Sequence, residues 1–416
     1  MSKRDYRFET KAIHTGVKDN PWQGATLPPI FQSSAHYHDS AESLSQTFAG
    51  QSQDHIYMRL SNPTNKFLEN SLATLESGKG AVVTSSGMAA INNSCMTLLR
   101  AGDEFVASKS LFMSTYGLFT NIFKKYDIHV TLVDLLNLEE LETRINDKTR
   151  FVYMETITNP GMEIPDIGAI ADIAHKKGIP LLVDNTLASP WLCRPIELGA
   201  DIVLHSTTKY FSGHGAALGG VVVDAGNFDW HTEKFKDFHP FVQQKGDLAF
   251  LHRMWKEHHI NFGTTPAPFH SFLTAIGLNT LGVRMERQME NALRTADFLK
   301  AHPKVKWVNF PGFEDHPSHG MAKKLFKDKG FGTMLTFGLQ DQDACFKFID
   351  NLSMILNLAN LGDCKSLIIH PYSSQYVSFP EDLKNKLADP CLLRFSTGIE
   401  HIDDICYDIE QALGKV

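Results

Sequence analysis

Between about residue 65 and residue 225 the chain alternates helix-like patterns with short apolar runs, and this alternation strongly constrains the fold. Strands that are buried on both faces read as nearly continuous apolar runs, whereas amphipathic helices repeat their apolar positions every three to four residues. Helices between successive strands favour a mainly parallel sheet that is covered by helices. Seven runs fit such strands: 80–84, 104–107, 129–133, 151–154, 181–183, 202–204 and 221–223.

Lys209 lies just beyond one of these runs, in the segment His-Ser-Thr-Thr-Lys-Tyr. Ligands of parallel sheets bind beyond the carboxyl ends of the strands. A lysine at such a place loses its proton more easily than a surface lysine, because desolvation disfavours the ammonium form. The neutral amine can form a Schiff base with a carbonyl cofactor, and the hydroxyls of Ser206 and Thr208 can hold a phosphate. On this stretch alone, an ordinary lysine at the water's edge remains the alternative.

Asp184 ends the run Leu-Leu-Val-Asp and narrows the choice of cofactor. A carboxylate is costly to bury without a cationic partner. The protonated pyridine nitrogen of pyridoxal phosphate is such a partner, and an aspartate facing it recurs in sites for that cofactor. Asp184 and Lys209 therefore fit its electron-sink partner and its Schiff-base lysine, although Asp184 alone would also suit a helix N-cap or a turn. No GxGxxG follows a strand, so a nicotinamide cofactor has little support.

Several motifs together resemble the Cys/Met-metabolism family of pyridoxal-phosphate enzymes, and the resemblance runs from about residue 10 to the C-terminus. They are Val-Asp-Asn-Thr at 183–186, Ser-Thr-Thr-Lys-Tyr at 206–210 and Gly-Gly at 219–220. The stretches that most resemble the O-acetylhomoserine sulfhydrylases of that family are 284–287, 290–292, 307–312, 358–363, 365–371 and 398–401. The resemblance implies the PLP-dependent transferase fold (type I, aspartate-aminotransferase-like). Such a fold has a large, mainly parallel seven-stranded sheet domain and a smaller C-terminal α/β domain.

The expected domains are an N-terminal arm at 1–60, a cofactor-binding domain at 61–282, and a linker helix with the small domain at 283–416. The arm is rich in Pro, Ser, Gln and His, so it cannot bury much by itself and is expected to lie on a neighbouring subunit. A long helical pattern at 283–299 links the two domains. In the small domain, strands are expected at 307–310, 334–337 and 392–395.

The resemblance also assigns residues to the phosphate of the cofactor. Ser86, Gly87 and Met88 stand between the first strand and a helix, and a helix N-terminus can hold a phosphate. Tyr57 and Arg59 are implied to reach the phosphate of an adjacent subunit's cofactor, a role that suits the planar fork of arginine. Taken singly, a Ser-Gly before a helix is an ordinary cap, and Arg59 would be a surface residue beside a packed tyrosine.

Other residues are implied to bind the amino-acid substrate. Arg394 matches the arginine that grips the α-carboxylate, where bidentate pairing would orient the substrate. Asn159 is implied to lie near the cofactor's phenolic oxygen and the substrate carboxylate, while Ser373 and Tyr57 are expected to contact the substrate. Without the resemblance, Asn159 would be part of an ordinary Asn-Pro turn, and Arg394 a surface or ion-paired residue.

Phe112 departs from the family pattern, because many relatives carry tyrosine at this position. The phenyl ring can still stack on the cofactor ring but has no hydroxyl to donate. A carboxylate leaving group has a pKa of roughly 4 and a thiolate one nearer 8.5, so the thiolate depends more on a proton donor. The loss favours an acylhomoserine substrate over methionine or cystathionine. A second departure, Ser-Ser-Gln-Tyr at 373–376, leaves open whether the acyl group is acetyl or succinyl.

The reaction implied is γ-replacement, with O-acetylhomoserine and sulfide giving homocysteine and acetate. Lys209 would remove the α proton once the substrate has displaced it from the cofactor, and Asp184 would keep the pyridine protonated. The alternatives are an O-succinylhomoserine sulfhydrylase, a cystathionine γ-synthase, a methionine γ-lyase, and a cofactor-binding regulator without turnover. Sites shared between subunits require at least a dimer, and a tetramer built as a dimer of dimers is expected.

Composition argues against several other classes of protein. The net charge of -7 over 416 residues gives no electrostatic case for binding nucleic acid or an anionic membrane. No apolar run has the length of a transmembrane helix, and the start lacks the apolar core of a signal peptide. Six scattered cysteines without a CxxC pair predict free thiols and a cytoplasmic location. The 19 histidines lie in unrelated contexts, so no metal site is expected.

Overall fold

Two β-sheets organise the protein, whose computed structural model describes residues 5–18, 22–52, 54–327, 329–379 and 381–416. The larger sheet comprises β1 Gly80–Thr84, β2 Glu104–Ser108, β3 His129–Val133, β4 Thr149–Glu155, β5 Leu181–Asp184, β6 Ile202–His205 and β7 Gly220–Asp224. The smaller sheet comprises β8 Trp307–Asn309, β9 Met334–Gly338, β10 Leu356–Asn357, β11 Leu367–Ile369 and β12 Leu392–Ser396. All seven runs predicted for the large sheet are strands, and the predicted fold class is confirmed.

The large sheet has the strand order β1-β7-β6-β5-β4-β2-β3. The pairs among β2, β3, β4, β5 and β6 are parallel, whereas β7 runs antiparallel to both β1 and β6. A parallel return needs a crossover, usually through a helix. Residues 206–219 contain no helix, so the chain turns directly from β6 into β7. This direct return places Lys209 and its neighbours in a loop at the end of the sheet where β4, β5 and β6 finish.

Helices cover both faces of the large sheet and one face of the small one. The α-helices of the described residues are α1 Phe8–His14, α2 Ala41–Phe48, α3 Pro63–Leu75, α4 Gly87–Leu98, α5 Met113–Gly117, α6 Leu138–Arg144, α7 Ile167–Lys176, α8 Ser189–Leu192, α9 His239–Lys245, α10 Ala249–Arg253, α11 Ile260–Phe262, α12 Pro268–Leu278, α13 Leu281–Ala301, α14 His319–Phe326, α15 Gln342–Asp350, α16 Glu381–Leu387 and α17 Ile402–Leu413. Shorter 3-10 segments span Phe123–Tyr126, Pro195–Leu198, Glu233–Phe238 and Gly246–Leu248, and π-helical segments span Leu118–Ile122 and Met254–His259. In these same residues, no helix is both long and apolar enough to cross a bilayer.

The start of helix α3 shows how local sequence fixes an element. Asn62 is its N-cap, and Oδ1 of Asn62 accepts hydrogen bonds from the backbone N–H groups of Thr64 and Asn65. Pro63 occupies the first helical position, where a missing N–H costs nothing. The helix packs its leucines against the large sheet and ends at Leu75, with Glu76 as its C-cap.

The smaller sheet has the order β10-β11-β12-β9-β8 and encloses its own apolar core with helices α13, α15 and α17. The three strands predicted here, β8, β9 and β12, are present. Strands β10 and β11, of two and three residues, were not predicted. The predicted linker is helix α13, and the expected domain boundary at 282–283 falls in its first turn.

The predicted N-terminal arm lies partly on its own chain. Phe8 of helix α1 is buried, and Nε1 of Trp191 donates to Oε1 of Glu9 at 3.3 Å. Further along the arm, Tyr37 is 90 % exposed and Phe48 is 66 % exposed. The expected contact of the arm with a neighbouring subunit stays a prediction.

Candidate active site

A cavity of about 900 Å³, including its open mouth, lies beyond the carboxyl ends of β4, β5 and β6. Residues of both domains enclose it, since the loop before β11 and strand β12 form one wall. The lining residues are Ser86, Gly87, Met88, Ile91, Phe112, Glu155, Ile157, Asn159, Asp184, Thr186, Leu187, Ser206, Thr208, Lys209, Leu218, Ala359, Asn360, Leu361, Gln375 and Arg394. Ten of the thirteen residues that the sequence singled out therefore meet in one cavity.

Lys209 enters the cavity from the loop after β6. Its backbone N–H donates to the carbonyl oxygen of Ser206, and its Nζ donates to Oδ1 of Asn360 at 2.6 Å. Burial, together with the nearby charge of Arg394, lowers the pKa of this amine to about 8. More of the amine is therefore neutral, and nucleophilic, near neutral pH than for an ordinary lysine.

Two carboxyl groups stand side by side on neighbouring strands, because the buried Glu155 at the end of β4 pairs in register with the partly buried Asp184 at the end of β5. The backbone N–H of Thr186 donates to Asp184 Oδ1 at 2.9 Å, and the N–H of Phe112 donates to Glu155 Oε1 at 2.7 Å. Burial raises the pKa of Asp184. The pKa of Glu155 is raised well above its usual value, first by burial and then by the charge of Asp184. Of the pair, Glu155 is the one that holds a proton.

The start of helix α4 and the loop after β6 bring backbone N–H groups and hydroxyls to the cavity. Ser86 caps helix α4, and its Oγ accepts the N–H of Ala89 at 3.1 Å. Gly87 lies so close to β6 that an added Cβ would stand 2.7 Å from Cβ of Ser206. The hydroxyl of Thr208 bonds to the backbone of Gly219 on the other side. Backbone N–H groups at a helix start, with hydroxyls around them, suit a phosphate.

Arg394, on strand β12, is 3 % exposed and has no carboxylate within ion-pair distance among the described residues. Its Nη1 donates to Asn159 Oδ1 at 3.3 Å and to Gln375 Oε1 at 3.4 Å, while Nη2 donates to the carbonyl oxygen of Asn360 at 3.2 Å. Burial lowers its pKa to about 10, so the guanidinium remains charged. A buried cation held only by long, neutral hydrogen bonds favours an anionic ligand.

Three predicted site residues lie outside the cavity. The hydroxyl of Ser373 bonds to Nδ1 of His370 at 2.7 Å, and the side chain lines a different cavity beside helix α15. Gln375, two residues later in the same turn, faces the site instead. Tyr57 is 44 % exposed, and Nη1 of Arg59 donates to the carbonyl oxygen of Ile260 at 2.7 Å. The function expected of Tyr57 and Arg59 in a neighbouring subunit stays a prediction.

Sequence reasoning missed Glu155, Asn360 and Gln375. A signal for Glu155 existed, because it ends a buried strand as Asp184 does, but the predicted run stopped at residue 154. Asn360 and Gln375 come from loops of the small domain, where periodicity carries no information about the large sheet. Asn360 does fall in one of the stretches that carry the family resemblance.

The residues present fit pyridoxal phosphate. The cavity provides a buried amine of lowered pKa in Lys209, a carboxylate in Asp184 to face a protonated ring nitrogen, and Phe112 as a flat apolar surface. Ser86, Gly87, Ser206 and Thr208 form a phosphate-sized cradle. Within the described residues, no group of three or more His, Cys, Asp and Glu side chains could hold a metal ion.

Comparison with known proteins also indicates a pyridoxal-phosphate enzyme. The sequence model of the family described as Cys/Met metabolism PLP-dependent enzymes matches residues 9–414. The chain is 37 % identical to an O-acetyl-L-homoserine sulfhydrylase of Leptospira meyeri, over 99 % of this chain and 98 % of that protein. It is also 37 % identical to an L-methionine gamma-lyase of Fusobacterium nucleatum, over the whole of both chains. A crystal structure from Campylobacter jejuni that contains N'-pyridoxyl-lysine-5'-monophosphate superposes with a TM-score of 0.94, at 33 % identity and over 98 % of this chain and 100 % of that chain.

Proposed function

The chain belongs to the Cys/Met metabolism family of PLP-dependent enzymes, and from that premise we propose that it catalyses γ-replacement on an O-acylhomoserine. The specific reaction proposed joins O-acetylhomoserine and sulfide to give homocysteine and acetate. The observation that carries the proposal is the buried, carboxylate-free Arg394 in one cavity with Lys209 and Phe112. Relatives named as O-acetylhomoserine sulfhydrylases or homocysteine synthases, at 37–38 % identity, support it.

The cofactor would be held by Lys209 at its aldehyde carbon, by Asp184 at its ring nitrogen, and by Ser86, Gly87, Met88, Ser206 and Thr208 at its phosphate. When bound, pyridoxal phosphate withdraws electrons from the substrate's α carbon, so that protons at the α and β carbons can be removed. Asp184 must be ionised to keep the ring nitrogen protonated. The protonated state of its neighbour Glu155 assists this, since only one charge then occupies the pair.

Lys209 is proposed to move the protons. A lysine whose pKa is lowered to about 8 can accept a proton from carbon and return it, because that pKa lies much closer to neutral pH than the ordinary lysine value of 10.5. Asn360 accepts a hydrogen bond from Nζ at 2.6 Å and so restricts where that amine lies. Asn159, on the loop after β4, is proposed to contact both the cofactor and the substrate.

Arg394 is proposed to bind the α-carboxylate of the substrate. Its donors now meet amide oxygens of Asn159 and Gln375 at 3.3 and 3.4 Å, and a carboxylate would replace these long contacts with charge-assisted bonds. Since the carboxylate oxygens would occupy the face of the guanidinium near Gln375, the side chain of that residue is freed to contact the rest of the substrate.

The acyl group is proposed to be acetyl. Apart from Lys209 and Arg394, no lining residue of the described chain carries a positive charge that could pair with the second carboxylate of a succinyl group. The lining also includes Phe112, Ile157 and Leu218, which suit a small uncharged acyl group. Phe112 has no hydroxyl to assist a thiolate leaving group, and this again favours a carboxylate.

Purified protein supplied with pyridoxal phosphate tests the proposal. It is incubated with O-acetylhomoserine, O-succinylhomoserine or methionine, each with and without sulfide, and products are identified by mass. We expect homocysteine from O-acetylhomoserine plus sulfide at the highest rate, and none from a Lys209→Ala variant. Faster breakdown of methionine would instead favour the lyase, and a cofactor absorbance band without any product would favour a regulator.

We also infer a homotetramer, arranged as a dimer of dimers with shared sites, and a cytoplasmic location. Exposed apolar residues of the arm, such as Tyr37 and Phe48, support an interface between subunits. All six cysteines are free in the described chain, and this supports a reducing compartment. Light scattering of the purified protein tests the first inference.

A further inference from the structure

The strands that present the cavity residues also carry a second set of side chains on the other face of the sheet. Successive residues of a strand point to opposite faces. Glu155 and Asp184 face the cavity, so Thr156 and Asn185, which directly follow them, point the other way. His205, the last residue of β6, shares that far face and precedes the cavity residue Ser206. Thr156, Asn185 and His205 are almost completely buried.

One carboxylate connects this second set. Glu76, the fully buried C-cap of helix α3, accepts hydrogen bonds at Oε1 from Nδ2 of Asn185 at 2.8 Å and from Nε2 of His205 at 2.5 Å. Asn185 also donates to the carbonyl oxygen of Cys193 at 2.8 Å. The hydroxyl of Thr156 donates to Oδ1 of Asn185 at 2.8 Å. The ends of β4, β5 and β6 are thereby joined through side chains as well as through the backbone.

The connection is costly to break. Oε2 of Glu76 is buried and has no hydrogen-bond partner in the described residues, so the side chain of Glu76 is held by Asn185 and His205 through Oε1. Loss of either donor leaves a buried polar group with fewer hydrogen bonds, which is costly. The amide of Asn185 already uses both hydrogens and its oxygen, so no other side chain of its size could make the same set of bonds.

We propose that Glu76, Asn185 and His205 are positioning residues, which fix where Asp184 and Ser206 stand on the cavity side of the same strand ends. The proposal rests on the proposed function, in which Asp184 faces the cofactor's ring and Ser206 its phosphate. These two contacts lie at opposite ends of one rigid ligand. Small changes in the spacing of β5 and β6 therefore weaken both contacts together.

Variants of His205 test this inference. In His205→Gln the side-chain amide can place a donor where Nε2 of the imidazole stands, whereas in His205→Asn the amide is too short to reach Glu76. Both variants lose the imidazole ring, whose centroid lies 4.7 Å from that of Phe211, so the loss of this ring contact is common to them. Cofactor affinity is measured by adding pyridoxal phosphate to cofactor-stripped protein, alongside its thermal unfolding, and kcat and KM are measured on the reconstituted enzyme.

For His205→Asn we expect cofactor affinity and kcat to fall about ten-fold or more, since small misplacements cost up to a hundred-fold. KM for the acylhomoserine should remain unchanged, because Arg394 lies on another sheet. His205→Gln should stay within about three-fold of the wild type, less than 1 kcal/mol. Equal losses in both variants would show that only the ring matters and overturn the proposal, as would two variants with wild-type affinity.

A second pair of variants, with smaller changes, tests the proposal if the His205 variants do not fold. Thr156→Val removes the hydroxyl that donates to Asn185 and keeps the volume of the side chain. Thr97→Val is its control, because Thr97 is equally buried but bonds only within helix α4. We expect weaker cofactor binding in Thr156→Val alone, and the same affinity in both would overturn the proposal. If the wild-type protein took up no cofactor, that result would contradict the proposed function, and this inference would fail because it rests on that function.

Discussion

At the residue scale, burial shifts the pKa values of three ionisable groups of the cavity, Lys209, Glu155 and Arg394. It lowers the pKa of Lys209 to about 8, and it raises the pKa of Glu155 well above its usual value. Arg394 remains charged because its lowered pKa, about 10, is still far above neutral. The cavity therefore presents a partly neutral amine, a neutral acid and a fixed cation near neutral pH. These states follow from desolvation, the first cause in each case.

The lowered pKa of Lys209 predicts how cofactor uptake depends on pH. The rate at which cofactor-stripped protein gains the visible absorbance of bound pyridoxal phosphate should rise with pH and level off above about 8, instead of near the ordinary lysine value of 10.5. In Arg394→Gln, where a neighbouring positive charge is removed, the midpoint should move to higher pH. A midpoint that Arg394→Gln leaves in place would contradict this explanation.

The lowered pKa of Lys209 also makes the free energy of unfolding depend on pH. Between about pH 8 and pH 10.5 the unfolded chain keeps a proton on Lys209 that the folded chain has lost. The free energy of unfolding of the cofactor-free protein should therefore gain a contribution as pH rises through that window. Lys209→Met, which cannot titrate, should lack this contribution when the two proteins are unfolded with urea at pH 8 and pH 10.

Glu155→Gln should behave almost as the wild type if Glu155 is protonated in the folded protein. The glutamine oxygen can still accept the N–H of Phe112, so kcat/KM should stay within about three-fold. Glu155→Ala leaves that buried N–H without a partner, at about 1–3 kcal/mol, and should lose about ten-fold or more. Loss of activity in Glu155→Gln would mean that the ionised form is required.

The stability of the same variant provides an independent check. Folded wild-type protein keeps a proton on Glu155 that the unfolded chain releases above its usual pKa of 4.5. Stability from this group is therefore fully present at low pH and is lost as pH rises toward the folded pKa. The melting temperature of Glu155→Gln, relative to that of the wild type, should increase from pH 5 to pH 8.

At the element scale, the site depends on where strands end and how closely a helix approaches them. The short apolar runs predicted all seven strands of the large sheet, and the rule that ligands bind beyond the carboxyl ends indicated Lys209 and Asp184. The positions of Asn360 and Gln375 could not be predicted in this way, because they depend on how the small domain packs on the large one. Ser373 illustrates the limit, since a hydrogen bond to His370 turns it from the cavity and leaves Gln375 there.

The close approach of helix α4 to β6 predicts that Gly87→Ala impairs cofactor binding. Its new Cβ would stand 2.7 Å from Cβ of Ser206, so the helix start and the strand end must separate. We expect affinity for pyridoxal phosphate to fall about ten-fold, equivalent to about 1.4 kcal/mol. Gly320→Ala, near the start of α14, is the control because a Cβ there meets nothing within 4 Å. Equal affinities in the two variants would rule out this role for Gly87.

At the scale of the whole molecule, the cavity of one chain contains most of the predicted site residues, but the residues of its own arm that are expected to bind phosphate are not among them. Tyr57 and Arg59 lie outside the cavity of their own chain, and Thr265 Oγ1 donates to the carbonyl oxygen of Arg59. That contact holds the arm against the segment after helix α11. If two subunits share sites, each arm would complete the cavity of its neighbour, and a dimer would be the smallest active form.

Mixing two inactive variants tests the sharing of sites. Lys209→Ala lacks the amine and Arg59→Ala lacks the expected phosphate contact of the arm. After the two are unfolded and refolded together, half of the dimers should be mixed and should contain one intact site, restoring about one quarter of the wild-type activity. Each variant refolded alone is the control. A mixture no more active than its components would show that the arm does not serve a neighbour.

The position of β7 between β1 and β6 has a consequence for the order in which the large sheet can form during synthesis of the chain. Strand β1 is made early, yet its partner β7 emerges only after five intervening strands. Contacts so far apart in sequence form late. Ser86 and Gly87 follow β1, while Ser206 and Thr208 precede β7, so the two halves of the phosphate cradle meet only when this last strand is inserted. The pocket for the phosphate is therefore complete only once β7 has paired with both β1 and β6.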